Sequence, residues 1–106
     1  MRHLSPTELK TLLERPPAGL QLLDVRLPWE HETVHLPGSI LIPMHEIPKR
    51  AAELSPAKPL VVYCHHGVRS LQVAIYLERA GFRDVANLQG GIDRYAEDVE
   101  PALARY

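Results

Sequence analysis

The run Pro59-Leu60-Val61-Val62-Tyr63 is apolar at every position and leads into the chain's one cysteine, Cys64. A strand with one face in water alternates apolar and polar residues. A strand without alternation must be covered on both faces, as strands are in parallel sheets flanked by helices. Parallel neighbours cannot be joined by a tight hairpin, so helical crossovers are required elsewhere in the chain. The remaining sequence supplies them.

Ser5-Pro6-Thr7-Glu8 combines a helix N-cap, a proline at the first helical position and a glutamate three residues after the cap, with Leu4 and Leu9 as a hydrophobic staple. Leu9, Leu12 and Leu13 line one face of that helix, and Pro16-Pro17 ends it near Arg15. Gln21 to Val25 reads as a short buried strand, and Pro28 opens a brief helix through about Val34, closed by Pro37-Gly38. Ser39 to Ile42 is a second strand, followed by a helix over Ile47 to Leu54 with Pro48 in its first turn. After Cys64, Ser70 is placed as a helix cap or, equally well, as a hydrogen-bond partner near the sulfur, with Leu71, Val73, Ala74, Leu77 and Ala80 on the apolar face and Gly81-Phe82 as the C-terminal stop. Asp84 to Asn87 is a last strand, and Ile92 to Asp98 a last helix after Gly90-Gly91. Alternation of this kind predicts an α/β fold with a doubly wound, mostly parallel sheet.

With 106 residues there is length for one modest core, so residues 1–106 are expected to form a single domain. The net charge of -1 gives no pull toward polyanions, and nucleic-acid binding is not expected. The longest apolar runs, Leu60 to Cys64 and Val73 to Leu77, fall far short of the roughly 18 residues of a membrane span. The N-terminus lacks the apolar stretch of a secretory signal, so a cytoplasmic location is the expectation. A single cysteine excludes an internal disulfide and a cysteine-rich zinc site. No glycine-rich dinucleotide fingerprint or Walker pattern occurs, so no cofactor is expected.

Ligands of doubly wound sheets bind outside the carboxyl ends of the strands, where Cys64 stands. A thiol there, followed by a glycine-containing turn and a helix start, meets inward-pointing N–H groups and the positive end of a helix dipole, both of which favour thiolate. Arg69 adds a permanent cation with forked donors suited to an oxyanion. Cysteine is also a common buried residue, and Cys64 could simply complete the core. The loop argues otherwise, since Gly67, Arg69 and two histidines are poor choices for a passive connection. A nucleophilic thiolate in an anion-binding cradle is therefore the expectation.

The segments Leu23-Asp24-Val25-Arg26, Glu30, His35-Leu36-Pro37-Gly38-Ser39, Val61-Val62-Tyr63-Cys64, Cys64 to Ser70, Gly81-Phe82 and Leu88-Gln89-Gly90-Gly91 occur in an ordered, specific set. In them the chain resembles the rhodanese-like domain, and specifically the single-domain sulfurtransferases. The resemblance implies a sheet of about five strands with helices on both faces. It implies a Cys64 that accepts sulfane sulfur from thiosulfate or another donor as a persulfide, then passes it to cyanide, a thiol or an acceptor protein. Its loop, His65, His66, Gly67, Val68, Arg69 and Ser70, would bind the substrate. For the side chains of His65 and His66 two readings stand, tuning of the anion pocket or contact with the acceptor against a solvent-facing position with only their amides binding, and the second is the expectation. Asp24 and Arg26 would brace the surroundings as a structural ion pair. Cys64 to Arg69 spans six residues, whereas related phosphatases carry one more between cysteine and arginine. Ile92 and Tyr95 stand where many relatives have tryptophans.

Two other chemistries use the same thiolate: a non-enzymatic sulfur relay, and a phosphatase or arsenate reductase, which the short loop disfavours. A different one is suggested by His31-Glu32-Thr33-Val34-His35, which matches the H-E-x-x-H zinc-protease pattern. That pattern needs the middle of a longer helix, and Pro28 and Pro37-Gly38 leave no room for one. No metal site is expected.

Overall fold

Leu60–Tyr63 forms the central strand of a five-stranded sheet, in a computed structural model that describes all of residues 1–106. In chain order the elements are β1 (Arg2–Leu4), α1 (Pro6–Glu14), β2 (Gln21–Asp24), α2 (Pro28–Thr33), β3 (Ile40–Leu41), α3 (Ile47–Arg50), β4 (Leu60–Tyr63), α4 (Val68–Arg79), β5 (Val85–Leu88) and α5 (Gly91–Asp98). The strands lie in the order β1-β5-β4-β2-β3, and every pairing is parallel.

The continuous apolar run of β4 now has its reason. Successive side chains point to opposite faces, so Leu60, Val62 and Cys64 join one core with Ile47, Val73, Ala74 and Leu77, while Val61 and Tyr63 join a second with Leu9, Ile92 and Tyr95. Helices α3 and α4 thus cover one face and α1 and α5 the other. Each fully buried leucine or valine contributes roughly 1.5–3 kcal/mol. No helix is long and apolar enough to cross a membrane.

The cap of α1 is as expected: Glu8 N–H donates to Ser5 Oγ at 3.1 Å, and Ser5 N–H donates to Glu8 Oε1 at 2.9 Å. Gly81, at φ +105°, ends α4, and Phe82 N–H donates back to Leu77 O at 3.0 Å.

Three expectations are corrected, and one strand, β1, lies outside them. Strand β1 carries no apolar signal, because two of its three side chains are exposed at the sheet edge and its ladder bonds to β5 are made by backbone. The helix expected over Ile47 to Leu54 is one α-turn, Ile47–Arg50, followed by a 3-10 turn, Ala51–Glu53. The strand expected over Ser39 to Ile42 is regular only at Ile40–Leu41. Helix α4 begins at Val68 with Gly67 as its N-cap, so Ser70 lies inside the first turn and its hydroxyl is free for other partners.

The winding reverses where β2 and β4 lie side by side with β3 and β5 outside them. Asp24 ends β2 and Tyr63 ends β4, in register with each other. The crevice at such a reversal is where doubly wound sheets bind ligands.

Candidate active site

Cys64 follows β4 directly and is 1% exposed. Its Sγ receives Gly67 N–H at 3.1 Å and Ser70 N–H at 3.4 Å, with Ser70 Oγ 3.3 Å away. The loop achieves this by sorting its peptide groups. Cys64 O and His65 O point away from the sulfur and accept from Ile92 N–H at 2.9 Å and Asp93 N–H at 3.1 Å, in the first turn of α5. The carbonyls satisfy the start of α5, and the amides at the start of α4 are left for the sulfur.

Two glycines make this geometry possible. Gly67 sits at φ +97°, a conformation that L side chains rarely adopt, and this turns its N–H inward. Gly91 sits at φ +64°, and a Cβ there would overlap the backbone carbonyls of His65 and Cys64. Gly91→Ala is expected to lower stability by about 2–4 kcal/mol, combining left-handed strain with overpacking. A fall in the urea midpoint at unchanged slope checks it; an unchanged midpoint would contradict the clamp.

Ser70 Oγ lies 2.5 Å from Asn87 Oδ1, and Asn87 Nδ2 donates to Gly67 O at 3.4 Å. A hydroxyl has one proton, so Ser70 serves either Asn87 or the sulfur at a time. Asn87, buried on β5, is a site residue that sequence reading placed only as the end of a strand.

The forked donors of Arg69 meet the Glu30 carboxylate, Nη1 to Oε2 at 2.8 Å and Nη2 to Oε1 at 2.9 Å. Glu30 also accepts from Leu27 N–H at 2.8 Å and from the Tyr106 hydroxyl at 2.8 Å. The Arg69 bonds, outweighing burial, hold the Glu30 carboxyl at about 2, well below its ordinary value near 4.5. The folded-state value is depressed, so the stability it confers is complete above about pH 4.5 and is lost as pH falls toward 2. Glu30→Gln should therefore be less stable than wild type at neutral pH, with the gap closing across that window. Urea titrations at stepped pH values check this, and a gap independent of pH would contradict it.

Asp24 and Arg26 form a fully buried pair beside this network. Asp24 accepts from Arg26 N–H at 3.0 Å, Nε at 2.8 Å and Nη2 at 2.7 Å, from His31 Nδ1 at 2.8 Å and from the Tyr63 hydroxyl at 3.2 Å. Arg26 reaches Val34 O at 2.6 Å and the Tyr106 hydroxyl at 2.8 Å. Burial opposes its charge, but the bonds to Asp24 and Tyr106 prevail and keep it protonated. The tail thus closes over the site: the Tyr106 ring stacks on His65 at 4.0 Å and meets Trp29 edge-on at 5.5 Å. Burial pushes the Tyr106 hydroxyl up to about 12.

The expectation that both loop histidines face solvent holds for His66 and is corrected for His65, which the tail covers. His66 and Val68 project outward, Val68 with 66% exposure, whereas His65 is largely covered between His66 and Tyr106. Burial, followed by His66, pulls the His65 pKa below the ordinary histidine value. The H-E-x-x-H segment does not assemble as a helical pair, since α2 ends at Thr33 and His35 lies beyond it.

The family model for the rhodanese-like domain matches residues 5–98, nearly the whole chain. The chain belongs to the rhodanese-like family. A sulfurtransferase of Allochromatium vinosum is 39% identical over 78% of this chain and 78% of its own. Thiosulfate sulfurtransferase GlpE of Pseudomonas syringae is 37% identical over 87% of this chain and 84% of its own. The crystal structure of a rhodanese-like domain protein from Staphylococcus aureus superposes with a TM-score of 0.83 at 30% identity, covering 100% of this chain and 99% of that one. Two longer relatives, from Arabidopsis thaliana and Mycobacterium tuberculosis, are 40% and 37% identical, and the chain spans 30% and 26% of their lengths. This rhodanese-like chain combines one buried cysteine with an all-parallel, five-stranded sheet.

Proposed function

We propose that this chain is a thiosulfate sulfurtransferase working through a Cys64 persulfide. The observation that carries the reading is the convergence of Gly67 N–H, Ser70 N–H and Ser70 Oγ on Cys64 Sγ at a helix start. Donors aimed at one sulfur stabilise negative charge on it, first as thiolate and then as persulfide. Ionisation of Cys64 turns the Ser70 proton from Asn87 toward the sulfur.

In the first half-reaction the thiolate attacks the outer sulfur of thiosulfate. A sulfur–sulfur bond forms to Sγ, and the bond to the sulfonate breaks with its electron pair leaving on sulfite. Sulfite is a stable anion and needs no general acid. In the second, a thiolate or cyanide attacks the terminal sulfur and returns Cys64 as thiolate, so ping-pong kinetics follow. The donor could equally be a protein persulfide with the same bond changes. Arg69, engaged with Glu30, supplies positive charge at the loop and aligns α4 against α2. Asp24 and Arg26 support the site by fixing the end of β2.

Intact-mass spectrometry tests the reading. The chain incubated with thiosulfate should gain one sulfur, about 32 Da, removable by cyanide. No gain, with Cys64 still open to alkylation, would overturn thiosulfate as donor. Release of phosphate from an aryl phosphate would favour ester hydrolysis instead.

A further inference from the structure

We propose that His65, His66 and Asp93 form a binding site for a divalent late transition-metal ion, Zn²⁺ in the first instance. One ring nitrogen of His65, one ring nitrogen of His66 and a carboxylate oxygen of Asp93 all lie within 4.8 Å of one another. The two rings stack at 4.0 Å with 21° between their planes, so they present neighbouring nitrogens. His65 Nε2 stands 3.9 Å from Asp93 Oδ1, and His66 Nε2 stands 3.6 Å from Asp93 Oδ2. Both gaps are too long for hydrogen bonds. Tetrahedral Zn²⁺ with nitrogen and oxygen ligands at about 2.0–2.2 Å sets its donors about 3.4 Å apart, so the set, spread over up to 4.8 Å, closes by rotation of the exposed His66 ring toward the carboxylate together with smaller shifts of His65 and Asp93.

A second observation points to a missing ligand. His65 Nε2 is the one buried side-chain nitrogen or oxygen in the chain that has no hydrogen-bond partner. Buried polar atoms are nearly always satisfied, and this one faces the carboxylate across a cation-sized gap. The frame is already rigid, because Asp93 N–H donates to His65 O and Ile92 N–H to Cys64 O. Two imidazoles and one carboxylate suit Zn²⁺, Ni²⁺ or Cu²⁺ rather than Mg²⁺ or Ca²⁺, which prefer oxygen ligands. Arg105, whose Nε meets Asp93 Oδ1 at 3.0 Å, competes for the carboxylate from a half-exposed position. The site is separate from the His31–His35 stack, whose Nδ1 atoms bond Asp24 and His31 O.

Calorimetric titration of the full chain with Zn²⁺ tests the assignment, in wild type and in Cys64→Ser so that the thiol is not the ligand. One equivalent should bind in both, undisplaced by excess Mg²⁺. Asp93→Asn and His66→Ala should each weaken binding about tenfold or more. His66 is exposed, so its variant will fold even if another does not. Arg105→Ala should tighten binding about two- to fivefold by removing a surface ion-pair competitor, and His31→Ala should leave it unchanged. Absence of binding, its loss in Cys64→Ser or His31→Ala, or its persistence in both Asp93→Asn and His66→Ala would overturn the site.

Discussion

Cys64→Ser is expected to release no detectable sulfite from thiosulfate, a fall of at least about 10³-fold, and to gain no sulfur. The reason is chemical rather than structural. A serine hydroxyl would inherit Gly67 N–H and the Ser70 donors in the same buried niche, so the urea midpoint should change little. A serine hydroxyl is a hard and poor nucleophile toward sulfur, whereas a thiolate is soft and strongly nucleophilic. Sulfite release with a colorimetric thiol trap, run beside a denaturation curve, separates lost chemistry from lost fold. Wild-type turnover by the serine variant would end the persulfide mechanism.

The largest expected loss of stability comes from Arg26→Met. Asp24 and Arg26 both have 0% side-chain exposure, and the guanidinium provides two side-chain bonds to that carboxylate. Removing it strands a buried negative charge with His31 and Tyr63 as its remaining side-chain partners, and breaking a buried pair in this way costs about 3–5 kcal/mol. Small domains hold only about 5–15 kcal/mol in total, so the variant should be marginal. Replacing both partners, Asp24→Leu with Arg26→Met, should recover part of the loss, because no buried charge is left. Recovery will be incomplete, since Val34 O and Tyr106 also lose a donor. A midpoint shift below about 1 kcal/mol in the single variant would show that the charge is solvated or neutralised.

Local chemistry carried much of this architecture into the linear sequence. The unalternating β4 run demanded a parallel sheet with two covered faces, and Ser5-Pro6-Thr7-Glu8 and Gly81-Phe82 located helix ends within a residue or so. These signals are legible because each depends on neighbours within one turn or one strand. β1 was not legible, since an exposed edge strand is held by backbone bonds to β5, whose partners lie more than eighty residues away. Ser70 was ambiguous for a related reason: its residue type suits a cap as well as a partner for the sulfur, and Gly67, in a left-handed conformation, starts α4 and leaves Ser70 to the sulfur and Asn87.

The division at the site follows the same line. That one cysteine ends a buried strand beside a glycine-bearing loop and a helix start can be read from contiguous residues. What surrounds that cysteine depends on long-range packing. Arg69 looked like a free anion clamp, and it is paired with Glu30, thirty-nine residues earlier, because β2 and β4 are adjacent. Asn87 reaches Ser70 from β5, Asp93 reaches the histidines from α5, and Tyr106 stacks over them from the tail. Such partners are selected by strand order and helix placement, which depend on how the whole apolar surface is buried and leave no mark in the spacing of the residues themselves.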